Sequence, residues 1–329
     1  MKNKSISVIL MRFIFVKRSF NNLIGQDAAC YKMRIHLFFH RRQRLTLQEM
    51  HLPTFATGID DTATMNAGCS GWTMVSIDYP LLENFEIKAA QILSQANLKS
   101  FHGKDYKRKK HSSYVDFLKL IRLTLEAGEG FACCTLLGQD WKSEFDIFCE
   151  TLVGGAFAKA GITDAVITDA SKKIAAPMFT YQRIAANKCS GGSTLIQIDR
   201  HVFFDGLNSS DIQMHGHSFS SQLPLVSALK AYRDKQFPNA PQIELDDIVI
   251  CNDEDSFLIQ AADIIGNFAT ACVFRELGKN SNSNERKCSA FEEVFGDILE
   301  LKNLPKAITL NGDDLALDDG AASFTFCIG

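Results

Sequence analysis

The sequence predicts a mixed α/β protein with a sheet of five strands flanked by helices. Short runs rich in β-branched and aromatic residues recur from Thr54 onward, separated by segments with helical spacing of apolar residues. The first two runs flank a turn containing Asn66, Gly68 and Gly71, which predicts a hairpin. The later runs are separated by helical segments. An order of strand, strand, helices, then alternating strand and helix is typical of a mixed sheet.

The composition indicates a soluble globular protein. The chain has 329 residues, of which 46% are hydrophobic and 22% charged, and its net charge is −3. Its ten cysteines include no CxxC pair, which argues against a zinc ribbon or a disulfide framework. We therefore expect free, buried cysteines in a reducing cytoplasm. The absence of a P-loop and of a GxGxxG motif leaves those types of nucleotide binding without support.

Residues 1–50 differ from the rest of the chain. They hold ten Lys and Arg but only two acids, Asp27 and Glu49. The apolar run Ile6–Val16 is too short to span a bilayer and is interrupted by Arg12, so we expect no membrane segment. An organelle transit peptide and an untranslated prefix before Met50 both remain open. By either route we expect a dispensable extension, followed by a folded domain at 51–278 and a C-terminal helix with an acidic tail at 279–329.

The individual elements follow from local pattern and from Gly and Pro punctuation. The sequence predicts five strands, at Phe55–Asp60, Trp72–Asp78, Phe131–Leu137, Thr194–Asp199 and Ile243–Cys251. Helices are predicted over 81–98, 112–127, 143–160, 218–236, 256–274 and 289–301. The stretch from 161 to Gly192 is poorly defined by the sequence, and the acidic tail is predicted to be peripheral.

The helix predicted at 256–274 organises the chain because almost all its residues are small or apolar. Three polar residues, Gln260, Asp263 and Asn267, share one face of it. A buried carboxylate is costly unless it is paired or bound to a metal. Two interpretations remain open: Asp263 caps a neighbouring loop or pairs with an Arg, or it binds a metal ion. Gly266 would allow another backbone to approach the helix closely.

Acids at the ends of separate elements predict a cation site. Asp60 ends the first strand, Asp199 ends the fourth, and Asp263 lies on the helix after the fifth. Three converging carboxylates repel one another and need a cation, and oxygen ligands suit Mg²⁺ or Mn²⁺. Two such ions about 4 Å apart activate water and stabilise the leaving oxygen of a phosphodiester.

Three short motifs, taken together, resemble the DUF-3800 family (domain of unknown function 3800). They are Ile59-Asp60-Asp61, Phe101-His102-Gly103-Lys104-Asp105 and the segment Leu258–Gly266, in the family's order over residues 54–275. The resemblance implies a ribonuclease-H-like fold with an acidic two-metal site. Asp61 and Asp105 would be further metal ligands, and His102 would orient the substrate or shuttle a proton. Two departures stand out, since Asp61 replaces a Glu and Arg200 follows Asp199 where a second acid is common.

The leading hypothesis is a metal-dependent phosphodiester hydrolase acting on nucleic acid, with Asp60, Asp199, Asp263 and His102 as catalytic residues. The alternative is a catalytically degenerate nucleic-acid- or protein-binding module, for instance of a defence or mobile-element system. Weaker candidates for substrate contact are Lys104, Lys107, Arg108, Gln260 and Asn267. The pair His215 and His217 is better explained as loop than as a metal site. The sequence leaves the oligomeric state open.

Overall fold

The computed structural model describes the chain from residue 52, with gaps. The described residues are 52–62, 70–137, 169–199, 230, 233–234, 236–243, 248–276, 281–297, 309–311, 314–316 and 323–328. The chain divides after Leu52, and the unit described here begins at Pro53. The extension at 1–50, the helix predicted at 143–160, Arg200 and the His215–His217 pair all lie outside the described residues, as does most of the helix predicted at 218–236.

Eight strands and five helices are present in the described part of the chain. The strands are β1 Phe55–Asp61, β2 Ser70–Asp78, β3 Phe131–Leu137, β4 Thr194–Asp199, β5 Ile248–Cys251, β6 Thr309–Asn311, β7 Asp314–Ala316 and β8 Ser323–Ile328. The helices are α1 Tyr79–Gln95, α2 His111–Glu126, α3 Asp169–Lys188, α4 Phe257–Glu276 and α5 Asn282–Phe295. The predicted α/β class and mixed sheet are confirmed.

The main sheet has the strand order β5-β4-β1-β2-β3-β8. Strands β1 and β2 form the predicted antiparallel hairpin, and β2 also pairs antiparallel with β3. Strand β1 pairs in parallel with β4, and β4 pairs in parallel with β5. The carboxyl ends of β1, β4 and β5 therefore meet at one edge of the sheet.

The structure differs from the sequence prediction at the C-terminal tail and at the last helix, and it defines the stretch before Gly192. The C-terminal tail is not peripheral, because β8 pairs antiparallel with β3 and adds a sixth strand to the main sheet. The stretch before Gly192, which the sequence left poorly defined, is mostly occupied by α3, which contains Pro177. The last predicted helix begins earlier than expected, at Asn282, where the Ser281 hydroxyl accepts the Asn284 N–H as an N-cap.

Helix α4 lies across β1 and β2 as the central helix of the core. A Cβ on Gly58 in β1 would lie 2.3 Å from the Leu258 carbonyl carbon, so only glycine lets the start of the helix come this close. Gly266 lets the helix approach two threonine side chains and not another backbone. A Cβ at this position would lie 2.4 Å from Thr73 Oγ1 and 2.6 Å from Thr62 Oγ1. Phe257–Arg275 is long and apolar enough to cross a membrane, but an 18-residue stretch of it is 83% buried within the protein.

Candidate functional site

Strand pairing brings two of the predicted acids together. Ile59 of β1 lies opposite Ile198 of β4 in a parallel pair. The next residues, Asp60 and Asp199, are therefore neighbours at the carboxyl ends of their strands. Both are buried, with 7% and 2% of their surface exposed. In open α/β sheets this edge of parallel strands is where ligands bind.

The charges of four acids interact at this edge, which we name the acidic edge: Asp60, Asp61, Asp199 and Asp263. The pKa of Asp60 lies well above its ordinary value of 3.8, first because burial penalises the charged form, and then because the other three carboxylates repel it. The Asp61 N–H donates to Asp60 Oδ1 at 2.9 Å and only partly opposes this rise. The expected convergence of Asp60, Asp199 and Asp263 is thus supported by the repulsion of Asp60 by each of the other two.

Asp263 also holds a loop, as the simpler of the two interpretations of this residue required. Its Oδ2 accepts the Gly103 N–H at 3.0 Å and lies 3.4 Å from His102 Nδ1. A Cβ on Gly103 would collide with the Asn267 side chain at 2.3 Å, so the loop packs directly on the polar face of α4. Among the described residues Asp263 pairs with no Arg. Its carboxylate has two roles, since it caps the loop and adds charge to the acidic edge.

Gln260 belongs to the same loop contact and not to a substrate site. Its Oε1 accepts the Phe101 N–H at 2.9 Å, and its Nε2 donates to the Asp253 carbonyl at 3.0 Å. The side chain is 1% exposed. Because both ends of the buried amide are used internally, Gln260 joins α4 to two loops and has no polar atom to offer a substrate.

His102 lies between two carboxylates. Its Nδ1 is 3.2 Å from Asp253 Oδ2 and 3.4 Å from Asp263 Oδ2. The pKa of His102 is raised, chiefly by the hydrogen bond to Asp263, although burial opposes the rise. Contact of Nδ1 with carboxylates favours the tautomer with its proton on Nδ1, which makes Nε2 the acceptor in the neutral ring. The two carboxylates therefore favour the protonated ring of His102, while Nε2 of the neutral ring is left to accept a proton.

The donor set at the acidic edge suits a hard divalent cation, but its geometry does not form a complete metal site. Carboxylate oxygens are the ligands that Mg²⁺ and Mn²⁺ prefer. Within the described ranges, however, no group of three or more His, Cys, Asp or Glu side chains is arranged to hold an ion. The chemistry fits the cation, and the carboxylates would have to draw closer together to bind it.

The other predicted residues lie around this edge in different settings. Asp105 is exposed in the 3₁₀ turn Gly103–Asp105, and its charge acts on the Tyr114 hydroxyl, so the structure does not bring it into the acidic edge. Lys104, Lys107 and Arg108 are exposed nearby. Asn267 is half-buried, and its side-chain oxygen accepts a hydrogen bond from Lys287 Nζ. Asn267 therefore lies next to the acidic edge and is not part of it.

Three residues at the site were missed. Asp253 follows β5 at the same sheet edge, so the rule that parallel strands end together would have found it. Cys251, opposite Asp199 in the β4–β5 pair, has a thiol pKa raised to about 12 by burial and then by the charges of nearby acids, so it remains protonated and is no nucleophile. Lys287 comes from α5, and no local pattern in the sequence indicates that it faces Asp263.

Comparison of the chain with protein-family models, with curated proteins and with solved structures finds no match.

Proposed function

We propose that this protein is a divalent-metal-dependent phosphodiester hydrolase acting on nucleic acid, built on a ribonuclease-H-like fold of the DUF-3800 type. The proposal rests on the meeting of two buried carboxylates, Asp60 and Asp199, at the carboxyl ends of paired parallel strands, where Asp60 is repelled by Asp61, Asp199 and Asp263. Repulsion of this kind costs free energy in the ionised protein, and a bound cation would remove the cost.

The strand order supports the finer fold assignment. Strands β3-β2-β1-β4-β5, with β2 antiparallel to both neighbours and β1, β4 and β5 parallel, form a five-stranded mixed sheet of the kind that the ribonuclease-H-like resemblance implies. The additional strand β8 pairs with β3 at the side of the sheet away from β4 and β5, so it does not alter the acidic edge. The likeness is one of fold, so the case for hydrolysis rests on the acidic edge itself.

Asp60 and Asp199 are the residues we assign as principal ligands of Mg²⁺ or Mn²⁺, with Asp61 and Asp263 contributing further oxygens. The bound ion would supply Lewis-acid stabilisation of the phosphoryl oxygens and a water of lowered pKa. His102, held at Nδ1 by Asp253 and Asp263, would exchange a proton with substrate or water through Nε2. The Gly103–Asp263 hydrogen bond keeps the His102 loop against α4 and so positions the imidazole.

A second candidate function, a binding module without catalysis, is favoured by two observations. Asp263 already uses Oδ2 to cap the 101–103 loop, and the carboxylates of the described residues are not arranged to hold an ion. In that case the acidic edge would be a remnant whose repulsion is relieved by protonation of Asp60. The two candidates differ in whether the protein hydrolyses nucleic acid when a divalent metal ion is present.

Hydrolysis measured with and without Mn²⁺ tests the proposal. The substrates are bis(p-nitrophenyl) phosphate and an end-labelled RNA or DNA strand, and the variant is Asp60→Asn. We expect Mn²⁺-dependent cleavage by the wild type and a loss of about 100-fold or more in the variant, since a ligand to a catalytic ion is removed. Asp116→Asn, an exposed acid on α2, is the matched control and should keep full activity.

Two outcomes would overturn the proposal. One is the absence of metal-dependent cleavage by the wild type, which leaves the binding module. The other is equal activity of the Asp60→Asn and Asp116→Asn proteins, which would place any hydrolysis elsewhere in the chain.

A further inference from the structure

A basic surface lies next to the acidic edge and is built from two segments far apart in the sequence. The first segment follows His102 directly and the second is the early part of α5. Together they form what we name the basic rim: Lys104, Lys107, Arg108, Lys109, Lys110, Arg286 and Lys287. Two acids, Asp105 and Glu285, lie in the same stretches, so the rim carries a net charge of about +5.

The cations of the basic rim are available to a partner. Five of its side chains are exposed, while Lys110 and Lys287 are half-buried. Over the described ranges none of the seven has a carboxylate within ion-pair distance. Other basic residues behave differently: Arg122 is paired with Glu126 and Asp297, and Arg275 with Glu292. Because exposed like charges repel one another, an unpaired basic surface indicates an anionic partner.

Tyr106 holds the two halves of the basic rim together. Its hydroxyl contacts His111 Nδ1 at 2.7 Å and donates to the Arg286 carbonyl at 3.3 Å, and its ring packs edge-on against Phe268 of α4. The side chain is 8% exposed. The segment 103–110 and the start of α5 are therefore fixed to each other and to the core helix.

Both halves of the basic rim reach the site. Lys104 is close enough to His102 for its positive charge to oppose the rise in the pKa of that histidine. Lys287 Nζ donates to Asn267 Oδ1, one turn beyond Asp263 on α4. The negative charge of Asp263 acts on the Lys287 ammonium. Burial lowers the pKa of Lys287, and Asp263 opposes this change. The positive surface thus begins beside the acidic edge and extends away from it.

We propose that the basic rim binds the phosphate backbone of a nucleic-acid strand and leads it to the acidic edge. The inference rests on the proposed function, because it names the path of that function's substrate. A row of Lys and Arg contacts phosphates without reading base sequence. An acidic site alone would repel such a polyanion, and the flanking cations overcome that repulsion. Binding through the rim releases counterions, so it weakens steeply with salt.

Fluorescence anisotropy in EDTA tests the proposal in the full-length protein, using labelled 20-nucleotide RNA and DNA strands over a NaCl series. The rim variant is Lys107→Gln/Arg108→Gln/Lys109→Gln. The control, Lys88→Gln/Arg183→Gln/Lys188→Gln, removes the same charges from exposed positions on α1 and α3. Loss of three contacts to a single strand should lower the slope of log K against log salt by about 2. Arg286→Gln alone should lower it by about 0.7.

The expected result is a reduced slope and at least about tenfold weaker binding at low salt for the rim variant, equally with RNA and DNA, while the control matches the wild type. Equal slopes for the rim variant and the control would overturn the proposal, as would a wild type that binds neither strand. A loss confined to one type of strand would also contradict binding through the backbone. Without metal no hydrolysis is needed, so a protein that binds through the rim but never cleaves would refute only the proposed function.

Discussion

Replacing Asp263 by Asn separates its two roles, since the amide keeps the size of the side chain and removes its charge. In the metal-free protein the change weakens the bond from the Gly103 N–H and the contact with His102. A hydrogen bond to a charged group contributes about 1.5–3 kcal/mol and a neutral one about 0.5–1.5 kcal/mol, so the loss is about 1–1.5 kcal/mol. Removal of the charge also relieves repulsion of Asp60.

The two effects oppose each other. The weakened hydrogen bond destabilises the protein, while removal of the Asp263 charge relieves one cause of the raised pKa of Asp60. We therefore expect the metal-free unfolding free energy to fall by less than about 1.5 kcal/mol. Mn²⁺ at about 100 times its Kd should stabilise the wild type by about 2.7 kcal/mol, and the Asn variant by much less.

The assay is thermal unfolding of the wild type, Asp263→Asn and the control Asp116→Asn across a Mn²⁺ series. An unchanged metal response in Asp263→Asn, combined with a loss of about 1–1.5 kcal/mol, would mean that Asp263 only caps the loop. A loss of about 3–5 kcal/mol with or without metal would indicate that Asp263 belongs to a buried ion pair and would contradict both of its proposed roles.

Three further predictions concern stability. Asp60→Asn should stabilise the metal-free protein at pH 7. Because the pKa of Asp60 is raised in the folded protein, its contribution to stability is fully present below the unfolded pKa and is lost as pH rises from about 3.8 through the folded value. The unfolding free energy measured with urea should therefore fall less with rising pH in the variant than in the wild type. Gly266→Ala should destabilise by up to about 2 kcal/mol in the same assay, since overpacking against Thr62 and Thr73 costs about 1–3 kcal/mol and the gain in helix propensity is about 1 kcal/mol; a more stable variant would show that the threonines move aside freely. Deletion of residues 1–50 should leave Tm nearly unchanged, and a large drop would show that they pack on the unit that begins at Pro53.

The sequence was sufficient for the features that depend on local pattern. Strands β1 to β4 begin and end close to their predicted limits, and β5 ends where predicted but begins at Ile248. Asp60 and Asp199 could be predicted as candidates because an acid at the end of an apolar run can be read directly from the sequence. Their meeting at one edge followed from the expectation that distant carboxylates converge in a mixed α/β layout, and the parallel pairing of β1 and β4 supplies the reason.

Features that depend on tertiary contact were not accessible in this way. The shared face of Gln260, Asp263 and Asn267 was predicted, but its contact with the 101–103 loop requires two segments about 160 residues apart to meet. The tail segment that forms β8 was missed because an edge strand is defined by its partner β3, and the acids before it indicated an exposed tail. Lys287 was missed for the same reason, since its place beside Asp263 depends on how α5 packs against α4.

Anomalous diffraction from a crystal soaked in Mn²⁺ shows whether the acidic edge binds a metal ion. We expect at least one ion there, within about 2.1 Å of carboxylate oxygens from both Asp60 and Asp199, with these side chains closer together than in the metal-free protein. An acidic edge without an anomalous peak at millimolar Mn²⁺, or an ion bound only by residues outside it, would mean that these carboxylates are not metal ligands.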